Sequence, residues 1–142
     1  MSRPAAIRFV VPGEPVGKMR ARTFVRMRRD GKPFATTTTP DTTRAYEAKV
    51  RTLCAIAVNQ ARWLMSKSDR FALRLRVFRT HEGAGADLDN VIKSVADAIQ
   101  GPGLAMPDDR YVRCISASLL KDATNPRVEV EVFRVRIDEV AA

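Results

Sequence analysis

The chain has 142 residues, 45% of them hydrophobic and 29% charged, which suits one domain with a modest core and excludes a disordered tail. Its net charge is +9, from 25 Lys and Arg against 16 Asp and Glu; a surplus that large points to a polyanionic partner, the plainer alternative being a solubilising surface. No apolar run approaches the roughly 20 residues that span a bilayer, and the first residues lack the apolar core of a secretion signal, so a cytoplasmic protein with no membrane segment is expected.

The charge is unevenly placed. Residues 1–33 hold Arg3, Arg8, Lys18, Arg20, Arg22, Arg26, Arg28, Arg29 and Lys32 against only Glu14 and Asp30, a surplus of seven that reads as a phosphate-binding surface. Within that segment, residues 7–11 form a short opening strand stopped by Pro12 and Gly13, and residues 13–22 are turn-rich and basic. Residues 23–27 and 34–38 pair as a hairpin around Arg28-Arg29-Asp30-Gly31, since Asp-Gly is a strong turn signal. A long helix follows, capped by Thr39 or Asp41 with Pro40 in its first turn. Tyr46, Val50, Leu53, Ala57, Ala61 and Leu64 recur at spacings of three and four and form its buried stripe, which ends near Ser66. Trp63 on that helix reads as a core or dimer contact.

Phe71, Leu73, Leu75 and Val77 alternate with Ala72, Arg74 and Arg76, a half-buried strand whose other face is basic. A Gly/Ala loop at residues 82–86 leads to a second helix over about residues 90–100. Ile92, Val95, Ala96 and Ile99 form its inner face, and Gly101-Pro102-Gly103 stops it. Residues 111–120 and 128–137 read as a pair of strands joined by a turn at 122–126. The apolar phase slips at Val132-Phe133, which suggests a bulge. The whole is an α+β domain over residues 1–142, a mixed β-sheet with two helices packed on it. Cys54 and Cys114, without metal-ligand spacing, read as buried thiols in a reducing compartment.

The chemistry concentrates in Asp87-Leu88-Asp89-Asn90, Lys93 and Asp108-Asp109. In an extended segment Asp87 and Asp89 present their carboxylates on one side, and Lys93 lies one helical turn beyond Asp89. Asp108-Asp109 returns after a helix and a turn, a path that can bring a third carboxylate to the same place. A hard divalent cation such as Mg²⁺ uses such a group, because it needs few carboxylates and open positions for water and phosphate. Each residue also has a plainer role. Asp89 or Asn90 can cap the helix, Lys93 can pair with Asp97 or Asp89 in solvent, and Asp108-Asp109 can make a turn. Two other signals fail. Gly13 to Lys18 is one residue short of a P-loop, with Met19 where Ser or Thr is needed. His81 is the only histidine, which excludes a histidine-based zinc site and leaves a loop histidine.

The run Asp87-Leu88-Asp89-Asn90-x-x-Lys93, then Asp97-Ala98 and Asp108-Asp109, resembles the signature of the RusA family of crossover-junction endodeoxyribonucleases. Pro12-Gly13-x-Pro15-x-x-Lys18-x-Arg20-x-Arg22 is similar to the opening of many members, so the likeness spans about residues 7–137. The resemblance implies a small homodimer, often prophage-encoded, that nicks four-way DNA junctions symmetrically with Mg²⁺ or Mn²⁺ in recombination and repair. It implies that Asp87 and Asp89 are the first two catalytic carboxylates and metal ligands and that Lys93 is the essential lysine. Asp109 would be the third carboxylate, supported by Asp108. The turn at 101–107 is about one residue longer than in the best-known member, so Asp108 and Asp109 could exchange roles. Lys18, Arg20, Arg22, Arg26, Arg28 and Arg29, with Arg74 and Arg76, would hold the flanking phosphates. Two rival readings stand beside it: a non-catalytic basic nucleic-acid-binding module, and a magnesium-dependent nuclease for other branched DNA.

Overall fold

A computed structural model describes residues 3–19, 22–38 and 41–136. Its elements are β1 (Ala6–Pro12), β2 (Arg22–Met27), β3 (Pro33–Thr38), α1 (Asp41–Ala61), β4 (Arg70–Arg79), α2 (Leu88–Ala98), a 3₁₀ turn (Asp109–Tyr111), β5 (Val112–Lys121) and β6 (Arg127–Val135). Four strands form a mixed sheet in the order β1-β6-β4-β5, and β2 and β3 form a separate antiparallel hairpin. The α+β architecture with two helices is the one expected.

The sheet is built on period-two alternation. Phe71, Leu73, Leu75 and Val77 of β4 and Val128, Val130 and Val132 of β6 are buried on one face. There α1 packs on β1 and α2, and α2 packs on β4 and β5. Burying each of these valines and leucines contributes on the order of 1.5–3 kcal/mol before chain entropy is counted. The other face of the sheet carries Arg8 of β1, Arg74 and Arg76 of β4, and Glu129 and Glu131 of β6. Cross-strand register sets Arg74 opposite Glu131 and Arg76 opposite Glu129, so the basic face of β4 meets acidic partners.

Several expectations change. The helix α1 ends at Ala61, five residues before Ser66, because Arg62 takes a left-handed conformation with φ 53°. The Arg62 amide then donates to Asn59 O and the Trp63 amide to Val58 O, a Schellman ending. Its buried stripe is Thr43, Tyr46, Val50, Cys54 and Val58, with Leu53, Ala57 and Ala61 flanking it and Leu64 exposed beyond the helix. Trp63 is core: its Nε1 donates to Ala105 O at 2.8 Å. The cap at Thr39 and Pro40 lies outside the described residues.

The strands β5 and β6 do not pair. Strand β4 lies between them, parallel to β5 and antiparallel to β6. No bulge occurs at Val132-Phe133; the register of β6 is unbroken through Val135, and the one irregularity falls at Phe71/Ala72 against β5. The apparent slip arises because Arg134 occupies the core-facing phase, its guanidinium 3.7 Å from the centre of the Trp63 ring, while Phe133 packs under Arg8 on the other face. Ile137 lies outside the described residues. Cys54 is buried, its thiol pushed up to about 11 by burial, but Cys114 is exposed on β5, the outermost strand.

Candidate active site at the start of the second helix

The site begins where β4 hands over to α2. Helix α2 starts at Leu88, two residues earlier than expected, and ends at Ala98. Its buried face is Val91, Ser94, Val95 and Ala98, with Ile92 and Ala96 half-buried and Ile99 buried just past its end. Asp87 is therefore the N-cap residue, with extended φ −67° and ψ 151°, and Asp89 is already helical rather than extended. A capping aspartate ordinarily accepts an amide bond from the first turn. Asp87 makes no such side-chain bond, so its carboxylate remains uncommitted. The positive end of the helix dipole at this point favours negative charge on both aspartates.

Asp87, Asp89 and Lys93 line one cavity of about 620 Å³, which Gly17, Lys18 and Met19 also wall. All three charged residues are exposed, and among the described residues none of their side chains makes a hydrogen bond or ion pair. Lys93 is paired with neither Asp89 nor Asp97. The cavity thus presents two free carboxylates and a free ammonium. Asp109 stands in an adjoining groove of about 390 Å³ along the same helix, walled by Ile92, Ala96, Val112 and Ile115, and Lys93 lines both spaces. Among the described residues no three His, Cys, Asp or Glu side chains converge as a finished metal cage.

The turn before β5 separates the two acidic neighbours. Asp108 accepts the Arg110 amide at 2.9 Å and caps the 3₁₀ turn. That bond, with the neighbouring Asp109 and Arg110, holds the Asp108 carboxyl below the usual carboxylate range. Asp109 is bonded through its backbone: its amide donates to Gln100 Oε1 at 3.2 Å, and Gln100 Nε2 donates to Ala96 O. The Asp109 side chain neighbours that of Asp108 and lines the groove beside Lys93.

The expected phosphate-binding residues divide. Arg26, Arg28 and Arg29 are exposed on the β2–β3 hairpin. Arg20 and the side chain of Arg22 lie outside the described residues. Arg74 and Arg76 lie on the sheet face away from α2, in a network with Glu129 and Glu131. Lys18 reaches the cavity wall, but its ammonium is held by Glu47 at 2.7 Å and Asp97 at 3.2 Å. The residues that sequence reasoning missed are the supports: Gly17 and Met19 as wall, Glu47 behind Lys18, and Gln100 beneath Asp109. Gly17, Met19 and Glu47 are joined to the site across long sequence separations, Gln100 across nine residues, and only Gly17, a glycine beside a lysine in a turn-rich run, carried a local signal.

A family model described as endodeoxyribonuclease RusA matches residues 12–133 of the chain. No curated protein matches it. The match takes in the cavity wall, both helices, the two aspartate-bearing segments, strands β4 and β5 and most of β6, with all of β1 but Pro12 lying before it.

Proposed function

The chain belongs to the RusA endodeoxyribonuclease family, enzymes that resolve Holliday junctions by hydrolysing phosphodiester bonds, and from that premise we propose that Asp87, Asp89, Lys93 and Asp109 carry the reaction with Mg²⁺. The observation that carries the reading is the uncommitted carboxylate of Asp87 beside Asp89 and Lys93 in one open cavity. The family is generally dependent on a divalent metal, and the donor set suits a hard cation. Mg²⁺ is usually held by one or two carboxylates and keeps its other positions for water and phosphate, which is what Asp87 and Asp89 leave open. Asp109 is the third carboxylate of the proposal, with Asp108 as its support; Mn²⁺ would substitute. When bound, the cation supplies positive charge at the phosphate and acidifies a coordinated water.

The chain's own residues then have separate tasks. Asp87 and Asp89 hold charge and position at the scissile phosphate. Lys93, one turn further on, faces the same cavity and neutralises negative charge that grows as the phosphorus–oxygen bond breaks. The hairpin arginines Arg26, Arg28 and Arg29 hold flanking backbone without reading sequence. A homodimer matches the two equivalent strands of a four-way junction, one active site for each. No helix among the described residues is long and apolar enough to cross a membrane, in keeping with a proposed place in cytoplasmic recombination and repair.

The test is cleavage of a labelled four-way junction, with flap and linear duplex alongside, in Mg²⁺ and in EDTA. Wild type should cut the junction symmetrically in Mg²⁺ alone. Asp87→Asn should abolish cleavage while binding persists or tightens, because a negative charge facing phosphate has gone. Loss of binding in parallel with cleavage, with the fold intact by circular dichroism, would assign Asp87 a structural role.

A further inference from the structure

Lys18 is tied more closely to the two helices than its place in a basic segment suggests. Its ammonium donates to Glu47 of α1 at 2.7 Å and lies 3.2 Å from Asp97 of α2. The Glu47 side chain is only 14% exposed and that of Lys18 30%. The same short stretch is fastened to α2 through its backbone. The Lys18 amide donates to Asn90 O at 2.8 Å, and Ser94 Oγ donates to Val16 O at 2.8 Å. Between these bonds the chain comes so near the helix that a Cβ on Gly17 would lie 2.4 Å from Ala86 Cβ and 2.9 Å from Asn90 Cβ. Gly17 and Lys18 line the same cavity as Asp87, Asp89 and Lys93. We infer that Lys18 is a positioning residue: clamped between Glu47 and Asp97, it holds the Gly17 wall against the first turn of α2 and so sets the opening in which Asp87, Asp89 and Lys93 work.

The inference rests on the reading of those three residues as the catalytic group, and it separates Lys18 from the lysines and arginines that touch phosphate. A phosphate-binding lysine acts alone, whereas a clamp needs both ends. Glu47, a carboxylate, cannot assist phosphate binding, so its loss discriminates. The full chain is compared as wild type, Lys18→Met, Glu47→Gln and the double variant. Four quantities are read: single-turnover cleavage in Mg²⁺, junction Kd in EDTA over a salt series, melting temperature, and amide hydrogen exchange across the first turns of α2 without DNA or metal. Each single variant should lose about 10- to 100-fold in rate, the scale of a small misplacement of reacting groups. The double variant should be no worse than the poorer single one, since both break one contact. Kd and salt slope should stay unchanged, the α2 amides should exchange faster, and Lys18→Arg, which can reach both carboxylates, should recover most of the rate. If Lys18→Met does not fold, Asp97→Asn carries the same comparison with a smaller loss. A weakened Kd and a salt slope shallower by about one for Lys18→Met, with Glu47→Gln at wild-type rate, would make Lys18 a phosphate contact and overturn the clamp. Wild-type rate and exchange in both single variants would also overturn it, leaving a surface ion pair. A wild type that cuts no junction defeats the catalytic reading instead, and the exchange measurement still judges the clamp.

Discussion

Lys93 sits four residues after Asp89 on the same side of α2 and has no carboxylate partner among the described residues. If it stabilises charge that develops only in the transition state, its loss changes rate and leaves affinity alone. Lys93→Ala should therefore lower single-turnover cleavage by about 10²–10³ at nearly constant Kd, the scale of losing one charge-stabilising donor. A solvated lysine would change neither quantity. A second residue, Asp69, ties the chain ends of the sheet together and makes stability depend on acid. Burial alone would raise its carboxyl, but the hydrogen bonds from Arg3 and the Ser66 amide and the charges of Arg3 and Arg134 outweigh it, so the folded value lies below the ordinary 3.8. The ionised form is thus favoured by folding. Its contribution is complete above about pH 4 and is lost as pH falls through the folded value. Asp69→Asn should lower the melting temperature at neutral pH, and the deficit should close on acidification; a deficit constant with pH would mean that packing, not charge, is what Asp69 supplies.

At the scale of elements, helix endings decide where functional groups stand. Helix α1 closes on a left-handed Arg62 where glycine is the usual residue. The Schellman bonds outweigh the strain, which costs roughly 1–2 kcal/mol for a side chain in that region. Arg62→Gly should therefore raise stability in urea by up to about 1 kcal/mol, part of the relief being offset by glycine's freedom in the unfolded chain; destabilisation would show that the Arg62 side chain contributes more than its backbone costs. The early start of α2 matters more. Periodicity located the helix because Ile92, Val95, Ala96 and Ile99 sit on one side, yet the first turn carries Leu88, Asp89 and Asn90, with no apolar repeat to mark it. Starting there converts Asp87 into a cap residue and turns Asp89 into the first turn of the helix. Asp87 and Asp89 therefore line the cavity from a helix N-terminus rather than from a strand.

For the whole molecule, the consequential fact is how charge is distributed over the fold. Sequence reading put Arg74 and Arg76 with the phosphate-binding residues, but β6 lays Glu129 and Glu131 beside them on the face away from α2. The hairpin has no such acidic strand opposite; Arg26 stands across from Phe34, and its strand neighbours Val25 and Met27 face Ala35 and Pro33. Exposed pairs are worth little, so the distinction lies in where phosphate meets net charge. Junction affinity should fall steeply with salt. Neutralising Arg26, Arg28 and Arg29 one at a time should shallow the slope by about one each, while Arg74→Ala and Arg76→Ala should leave it nearly unchanged. Equal effects at both places would return the outer sheet face to the DNA-binding surface.

What the sequence by itself determined was local. Alternation along β1 and β4, the Asp-Gly hairpin, the 3.6-residue periodicity of both helices and the spacing of Asp87, Asp89 and Lys93 depend on near neighbours, so they can be read from order alone. The family likeness follows from the same short motifs. The tertiary structure decided what depends on contacts between distant segments. It inserted β4 between β5 and β6, gave Arg134 a core-facing place over Trp63, and paired the arginines of β4 with glutamates. It also made Asp108 the cap of the 3₁₀ turn, and it placed Asp109 in the groove beyond Lys93 rather than in the cavity with Asp87. The physical reason is that hydrogen-bond partners and charge partners are set by which strand lies alongside, and a strand's neighbours here can lie more than a hundred residues away, as Glu131 does from Arg8, 123 residues before it.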